Sequence, residues 1–245
     1  MLHNEIRTQL TTLGFKGMLQ AYDEKNELSP NDSQWLDSFK QLLEAEITYR
    51  QTRSFMYRLN LARLPQIKTL ETFKAESLNF DQNTLDQLSQ CDFIKNNENI
   101  LLIGGSGTGK THIALALAHA ALQQRYRIKF YRFSQLAREL SQAQEHRYES
   151  AFMRRLQNFH LLIIDELGYL PVDQKAGALL FELFSALYEN TPVIITTHLT
   201  FEEWGDMFGN KKSTKAMIDR LTHHCKILQT GNESWRLKEG SMNKK

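Results

Sequence analysis

The sequence predicts an α/β protein, with a five-stranded parallel sheet covered by helices on both faces and a small all-helical domain ahead of it. Three observations carry this expectation. Short apolar runs alternate with helical periodicity from about residue 69 onward. A glycine-rich turn follows the first of those runs. The chain before Pro65 shows only the helical repeat. The expected parts are a helical interaction domain over residues 1–68, the α/β domain over 69–240 and a short basic tail over 241–245.

The opening helices follow from spacing. Leu2, Ile6, Leu10 and Leu13 mark one amphipathic helix, Gly14 and Gly17 permit a break, and Phe15, Met18, Leu19 and Tyr22 mark a second. Pro30-Asn31-Asp32-Ser33 supplies turn and N-cap chemistry. A long helix follows, with Trp35, Phe39, Leu42, Leu43 and Ile47 on its apolar side. It runs into the basic segment Arg50–Arg63 and stops by Pro65.

In the second part, the buried-strand candidates are Ile100–Ile103, Ile128–Tyr131, Leu161–Ile164, Val193–Thr197 and Ile227–Thr230. Helical stretches over Thr111–Gln124, Ser134–Gln157 (in one or two pieces) and Gly177–Glu189 separate most of them. In such sheets, ligands sit at the carboxyl ends of the strands.

Length and composition fit this layout. The 245 residues are 41% hydrophobic and 24% charged, enough for a buried core. No apolar run approaches the roughly 20 residues of a membrane span, and no signal-peptide pattern opens the chain. Cys91 and Cys225 stand far apart without metal-ligand company and read as reduced thiols. The net charge of +2 hides two basic clusters near opposite ends of the chain, a pattern that suits a polyanion partner.

The first chemical motif is Gly104-Gly105-Ser106-Gly107-Thr108-Gly109-Lys110-Thr111, a full G-x-x-x-x-G-K-S/T pattern between a strand and a helix. Its backbone N–H groups can cradle phosphate oxygens beside the positive helix end. Lys110 can reach the β- and γ-phosphates, and the Thr111 hydroxyl can bind Mg²⁺. The second motif is the apolar strand ending in Asp165 and Glu166. Asp165 is placed to hold Mg²⁺, and Glu166 to polarise a water for attack on the γ-phosphate. A pair of adjacent acids favours hydrolysis over phosphoryl transfer to a small molecule.

Three further groups are candidates. The strand Val193–Thr197 ends in polar residues, so His198 can either reach the γ-phosphate or serve as an ordinary loop histidine. Arg220, alone among apolar neighbours on a helix, can stabilise a neighbouring subunit's nucleotide or pair with Asp219. Arg236 could reach the nucleotide of its own subunit. For nucleic acid, Arg50, Arg53, Arg58 and Arg63 lie among Tyr49, Phe55 and Tyr57, aromatics expected to pack against the helical domain. Arg147, Arg154 and Arg155 form a second basic surface; both runs also suit a solvated face.

Taken together, the motifs resemble the IstB family of insertion-sequence ATP-binding proteins. The resemblance rests on residues 104–114 and 161–171, on Phe201-Glu202-Glu203-Trp204, on Asp219-Arg220-Leu221-Thr222-His223-His224 and on Ser234-Trp235-Arg236-Leu237-Lys238. It covers nearly the whole chain. It implies a P-loop ATPase of the AAA+ class, related to the helicase loader DnaC. Such a protein uses ATP and Mg²⁺, assembles with its own copies on duplex DNA, distorts it and promotes the activity or target choice of a transposase. The implied setting is the bacterial cytoplasm, on DNA and away from membranes. Residue by residue, the resemblance makes Gly104 to Thr111 the Walker A loop and Asp165 and Glu166 the Walker B acids. Arg220 becomes an arginine finger acting in trans, and Arg236 a second sensor. The first-sensor position, usually Asn, holds His198, which puts the hydrolysis rate in question. Two rivals share the glycine loop: a DnaC-like helicase loader, and a monomeric small-molecule kinase that would have no use for Arg220 or the basic segments.

Overall fold

The structure, a computed structural model, describes residues 2–28, 33–73, 80–169, 174–208 and 211–231. The chain divides into two compact units, Met1–Tyr57 and Arg58–Lys245.

In the first unit, α1 (Leu2–Leu13), α2 (Lys16–Leu28) and the start of α3 (Ser33–Ala62) enclose a small core. Its buried members are Ile6, Leu10, Leu13, Tyr22, Leu36 and Leu43, with Phe39 and Ile47 packed against them. The opening helix matches its expected spacing. The apolar side of α3 does not: Leu42 is 68% exposed, and the buried stripe is Leu36, Phe39, Leu43 and Ile47. Leu36 and Leu43 lie two turns apart on one face, and this is the face on which α1 and α2 pack. The side chain of Trp35, and the turn residues Pro30, Asn31 and Asp32, lie outside the described residues. Arg50 hydrogen-bonds Glu46 at 2.6 Å and the Leu13 carbonyl at 3.1 Å, and its guanidinium lies over Phe15, so it ties α3 to the end of α1.

The second unit begins with the last turn of α3, which ends with Arg63 in the left-handed region (φ 53°). Two short helices, α4 (Gln82–Ser89) and α5 (Asp92–Lys95), lead into β1 (Asn99–Ile103). Then come α6 (Lys110–Gln123), β2 (Ile128–Arg132), α7 (Phe133–Glu145), α8 (Glu149–Gln157) and β3 (Leu161–Leu167). The chain continues through α9 (Gln174–Leu187), β4 (Val193–Thr197), α10 (Phe201–Met207), α11 (Lys211–His223) and β5 (Cys225–Gln229). The strands form one parallel sheet in the order β2-β3-β4-β1-β5. The expected fold class is the observed one.

The central strands are buried because helices cover both of their faces. From Ile113 to Ala118, helix α6 is buried all round, and its alanines allow the close approach. A second apolar cluster joins Leu136, Leu140, Phe152, Leu162, Leu183, Phe184 and Trp204. Strand β5, at one edge, is half open to solvent and begins at Cys225 rather than Ile227, because its pairing starts at Asn99 opposite Cys225.

Strand β3 also runs past its expected end at Ile164, and it does so irregularly. Ile164 pairs with Ile195 and Leu167 pairs with Thr197, so Asp165 and Glu166 together oppose the single residue Thr196. This is a β-bulge, the device that re-aims side chains at the end of a strand. Among the described residues, no helix is long and apolar enough to cross a membrane.

Candidate nucleotide-binding site

The glycine loop leaves the carboxyl end of β1 and enters α6 through Gly109, at φ 95°. A Cβ at Gly109 would lie 2.6 Å from Phe73, and one at Gly104 would collide with the Thr230 hydroxyl. At these two positions there is no room for a side chain, so the loop's backbone can approach a ligand closely there. Lys110, 9% exposed, bonds the carbonyls of Gly104 at 2.7 Å and Gly105 at 2.5 Å. A buried ammonium held this way places a positive charge beside the N-terminus of α6.

The two acidic positions meet the loop. The Thr111 hydroxyl donates to Asp165 Oδ1 at 2.8 Å, and the Thr196 hydroxyl donates to the same oxygen at 2.6 Å. Asp165 is 3% exposed. A regular strand would send Asp165 and Glu166 to opposite faces of the sheet. The bulge instead lets Asp165 bond Thr111 while Glu166, at φ 63°, lines the same cleft. The Glu166 N–H donates to the Thr196 hydroxyl at 2.9 Å.

The cleft measures about 430 Å³, within the size of a small-ligand pocket. Beyond the loop its walls are Gln66, Lys68, Thr72, Phe73, His112, Glu166, Tyr169, Thr196 and Thr197. The stretch before β1 is fastened to α6: His112 Nε2 lies 3.0 Å from the Thr69 carbonyl and 3.4 Å from the Thr72 hydroxyl, and Phe73 meets its ring edge-on. Apart from Glu166, these wall residues were not singled out from the sequence. Thr196 had a signal, a hydroxyl at the end of a buried strand; Gln66 to Phe73 had none, because they belong to no periodic element.

A phosphate chain and a divalent cation fit what is present. The loop presents backbone and one buried cation to an anion, and the buried Asp165 carboxylate faces hydroxyls of the kind that accompany it around a hard cation.

The remaining candidates are placed as follows. His198 is exposed, with its ring 4.8 Å from that of Tyr169, and the polar strand-end residues that line the cleft are Thr196 and Thr197. Arg220 lies far from the glycine loop. It borders a separate cleft with Asn99, Glu189 and His224, at the amino ends of the strands that the loop follows at their carboxyl ends. The five residues of β1 put about 16 Å between those edges. Arg220 bonds the Ser185 hydroxyl and lies over Phe181, so the alternative pairing with Asp219 gives way to α9. Arg236 lies outside the described residues.

Among the basic candidates, Arg50 is engaged within the helical unit, whereas Arg53 is exposed and Arg58 half-buried. The aromatics depart from expectation: Tyr49 and Tyr57 are 60% and 67% exposed, because the small core closes at Ile47. Arg63, Arg147, Arg154 and Arg155 are exposed. Arg63 and Arg155, from the two separate basic stretches, both neighbour Lys129 on edge strand β2. Lys129 is 7% exposed and donates to the Leu61 carbonyl at 3.1 Å; burial, with Arg63 beside it, pulls its pKa down to about 8. Both cysteines are free, and burial pushes Cys91 up to about 11 and Cys225 up to about 12.

Comparison with known proteins adds the following. The family described as IstB-like ATP binding protein matches residues 8–243. A relative named for insertion sequence IS21 of Pseudomonas aeruginosa is 38% identical over 199 residues, 80% of this chain and 75% of the relative. One named for IS232 of Bacillus thuringiensis is 31% identical over 242 residues, 97% and 96% of the two chains. Among solved structures, the DnaC helicase loader superposes with a TM-score of 0.53 at 19% identity, over 66% of this chain and 95% of that one. AMPPCP-bound DnaA from Aquifex aeolicus gives 0.55 at 18% identity, over 68% and 50%.

Proposed function

The chain belongs to the IstB-like ATP-binding protein family of insertion sequences, and from that membership we propose that it is a transposition helper ATPase. In this reading it binds ATP, assembles with its own copies on duplex DNA in the bacterial cytoplasm, distorts the duplex and promotes the work of a partner transposase.

The observation that carries the reading is the placement of Arg220 at the opposite strand edge from the glycine loop. A finger so placed cannot serve the nucleotide of its own subunit, but it can serve the next one in a head-to-tail array. The loop N–H groups and Lys110 bind the triphosphate of one protomer. Arg220 of the neighbour meets the charge developing on the γ-phosphate. Thr111 and Asp165 would hold Mg²⁺, which neutralises phosphate charge when bound. The Glu166 carboxylate accepts a proton from the attacking water, and hydrolysis to ADP and phosphate then removes the group on which the inter-subunit bridge depends. ATP therefore works as a tether whose cutting releases DNA or passes it to the transposase.

His198, against Tyr169, and Arg236 are proposed as nucleotide sensors. The DNA-facing charges are proposed to be Arg53, Arg58, Arg63, Arg147, Arg154 and Arg155, while Arg50 acts within the helical unit. Such phosphate contacts would bring strong salt dependence. A helicase-loading role shares the same core. Relatives at 31% and 38% identity carry insertion-sequence names, and this favours transposition.

Phosphate release from ATP by the purified chain, with Lys110→Ala beside it, tests the enzymatic part. Turnover that disappears in the variant supports the reading; equal release by both proteins removes the glycine loop from the reaction.

A further inference from the structure

We infer that Thr196 is the positioning residue of the hydrolytic centre: its hydroxyl holds the Asp165 carboxylate and the Glu166 backbone together across the bulge. The inference rests on the reading of Glu166 as the group that takes the water's proton.

Between the pairs Ile164–Ile195 and Leu167–Thr197, the regular ladder of β3 and β4 is interrupted. In that gap β3 carries two residues, both acids, and β4 carries Thr196 alone. A bulge leaves backbone groups without their ladder partners, and a buried group must find another. The Glu166 N–H finds the Thr196 hydroxyl at 2.9 Å. A hydroxyl has one proton to give and lone pairs to receive with. Thr196 accepts from Glu166 and gives its own proton to Asp165 Oδ1 at 2.6 Å. One atom, 1% exposed with its residue, thereby fixes both acids.

The strain at Glu166 gives the contact its importance. At φ 63° this residue sits in the left-handed region, which crowds the Cβ of a non-glycine residue against its own backbone. Such a conformation persists where its surroundings enforce it. The Glu166 carbonyl accepts a long bond from the Tyr169 N–H at 3.4 Å. The shorter bond from the Glu166 N–H to Thr196, at 2.9 Å, anchors the turn to β4, with Glu166 lining the cleft while Asp165 stays on Thr111. β-branching adds to the effect, because a threonine in a strand has few rotamers to lose. Valine has the same shape and lacks only the hydroxyl. Serine keeps the hydroxyl and lacks only the methyl.

The experiment compares the wild type with Thr196→Val, Thr196→Ser and Glu166→Gln. Steady-state ATP turnover is measured for each, with ATP affinity from a fluorescent analogue and amide exchange at Glu166 in the nucleotide-free protein. The valine variant should lose about 10- to 100-fold in kcat, the scale of a slightly misplaced catalytic group, while KM stays near wild type. Its Glu166 amide should exchange faster, and serine should restore both readouts. Wild-type turnover in the valine variant overturns the inference. So does parallel loss of ATP affinity and kcat that serine fails to rescue. A rapidly exchanging Glu166 amide in the unmodified protein overturns it too, and that measurement needs no variant to fold. Wild-type hydrolysis by Glu166→Gln would instead sink the underlying reading of Glu166.

Discussion

The Thr111 hydroxyl donates to Asp165 Oδ1 at 2.8 Å, across 54 residues of sequence. This contact closes the circuit between the glycine loop on β1 and the acidic end of β3, with β4 lying between those strands. Thr196 on β4 completes it with a bond to the same oxygen. The three side chains come from α6, β3 and β4, so distant segments of the chain converge on one carboxylate oxygen and fix it in place. Electrostatic catalysis requires this kind of fixed polar arrangement.

Gly109→Ala tests the cradle. The added Cβ would lie 2.6 Å from Phe73, at a backbone φ of 95°. Left-handed backbone costs about 1–2 kcal/mol in a non-glycine residue. A loop that relaxes to escape this cost must be forced back to bind ATP, so affinity should fall by up to about 5- to 30-fold. Titration with a fluorescent ATP analogue checks this, with the circular dichroism spectrum unchanged.

Glu166→Gln keeps the side chain's shape and removes its basicity. General-base catalysis contributes about 10²–10⁴-fold, and turnover should fall on that scale while ATP and duplex binding persist. Complexes formed with ATP should then outlast those of the wild type in a dissociation assay.

Arg220→Ala should bind ATP normally and hydrolyse it poorly, because loss of an arginine finger costs about 10³–10⁵ in turnover. Mixing this variant with Lys110→Ala, which has an intact finger and a disabled loop, should restore part of the activity. Restoration shows action between subunits. An inactive mixture would place Arg220 outside the inter-subunit bridge.

Lys129 sets a pH dependence. Its pKa is lowered in the folded chain to about 8 from the usual 10.5, so between those values the unfolded chain binds more protons. Stability from this group therefore rises with pH across that window, by less than about 1.4 kcal/mol per unit. Relative to the wild type, Lys129→Met should lose ground in urea unfolding as the pH climbs from 8 toward 10.5. A constant difference between the two would show that burial leaves the amine unperturbed.

The fold was legible because its central strands are buried on both faces and read as apolar runs, such as Leu161–Ile164 and Val193–Ile195. The glycine loop and both acids were legible because their chemistry is local in sequence. What stayed hidden is set by contacts between distant segments. Leu42 is exposed while Leu36 is buried, and only the way α1 and α2 pack on α3 decides between them. The β3 bulge depends on pairing with β4, so neither the extension to Leu167 nor the role of Thr196 appears in one strand read alone. The short helices α4, α5 and α10 hold too few turns to show a period. The wall from Gln66 to Phe73 is irregular backbone, held by His112 rather than by any pattern of its own.

In the proposed mechanism a nucleotide held by one protomer joins it to the next, and only the joined array grips duplex DNA. Sedimentation of the purified chain with a duplex, in ATP and then in ADP, is the decisive measurement. Large protein–DNA assemblies with ATP that fall apart with ADP are the predicted result. A particle of one size, indifferent to the duplex under either nucleotide, would contradict it.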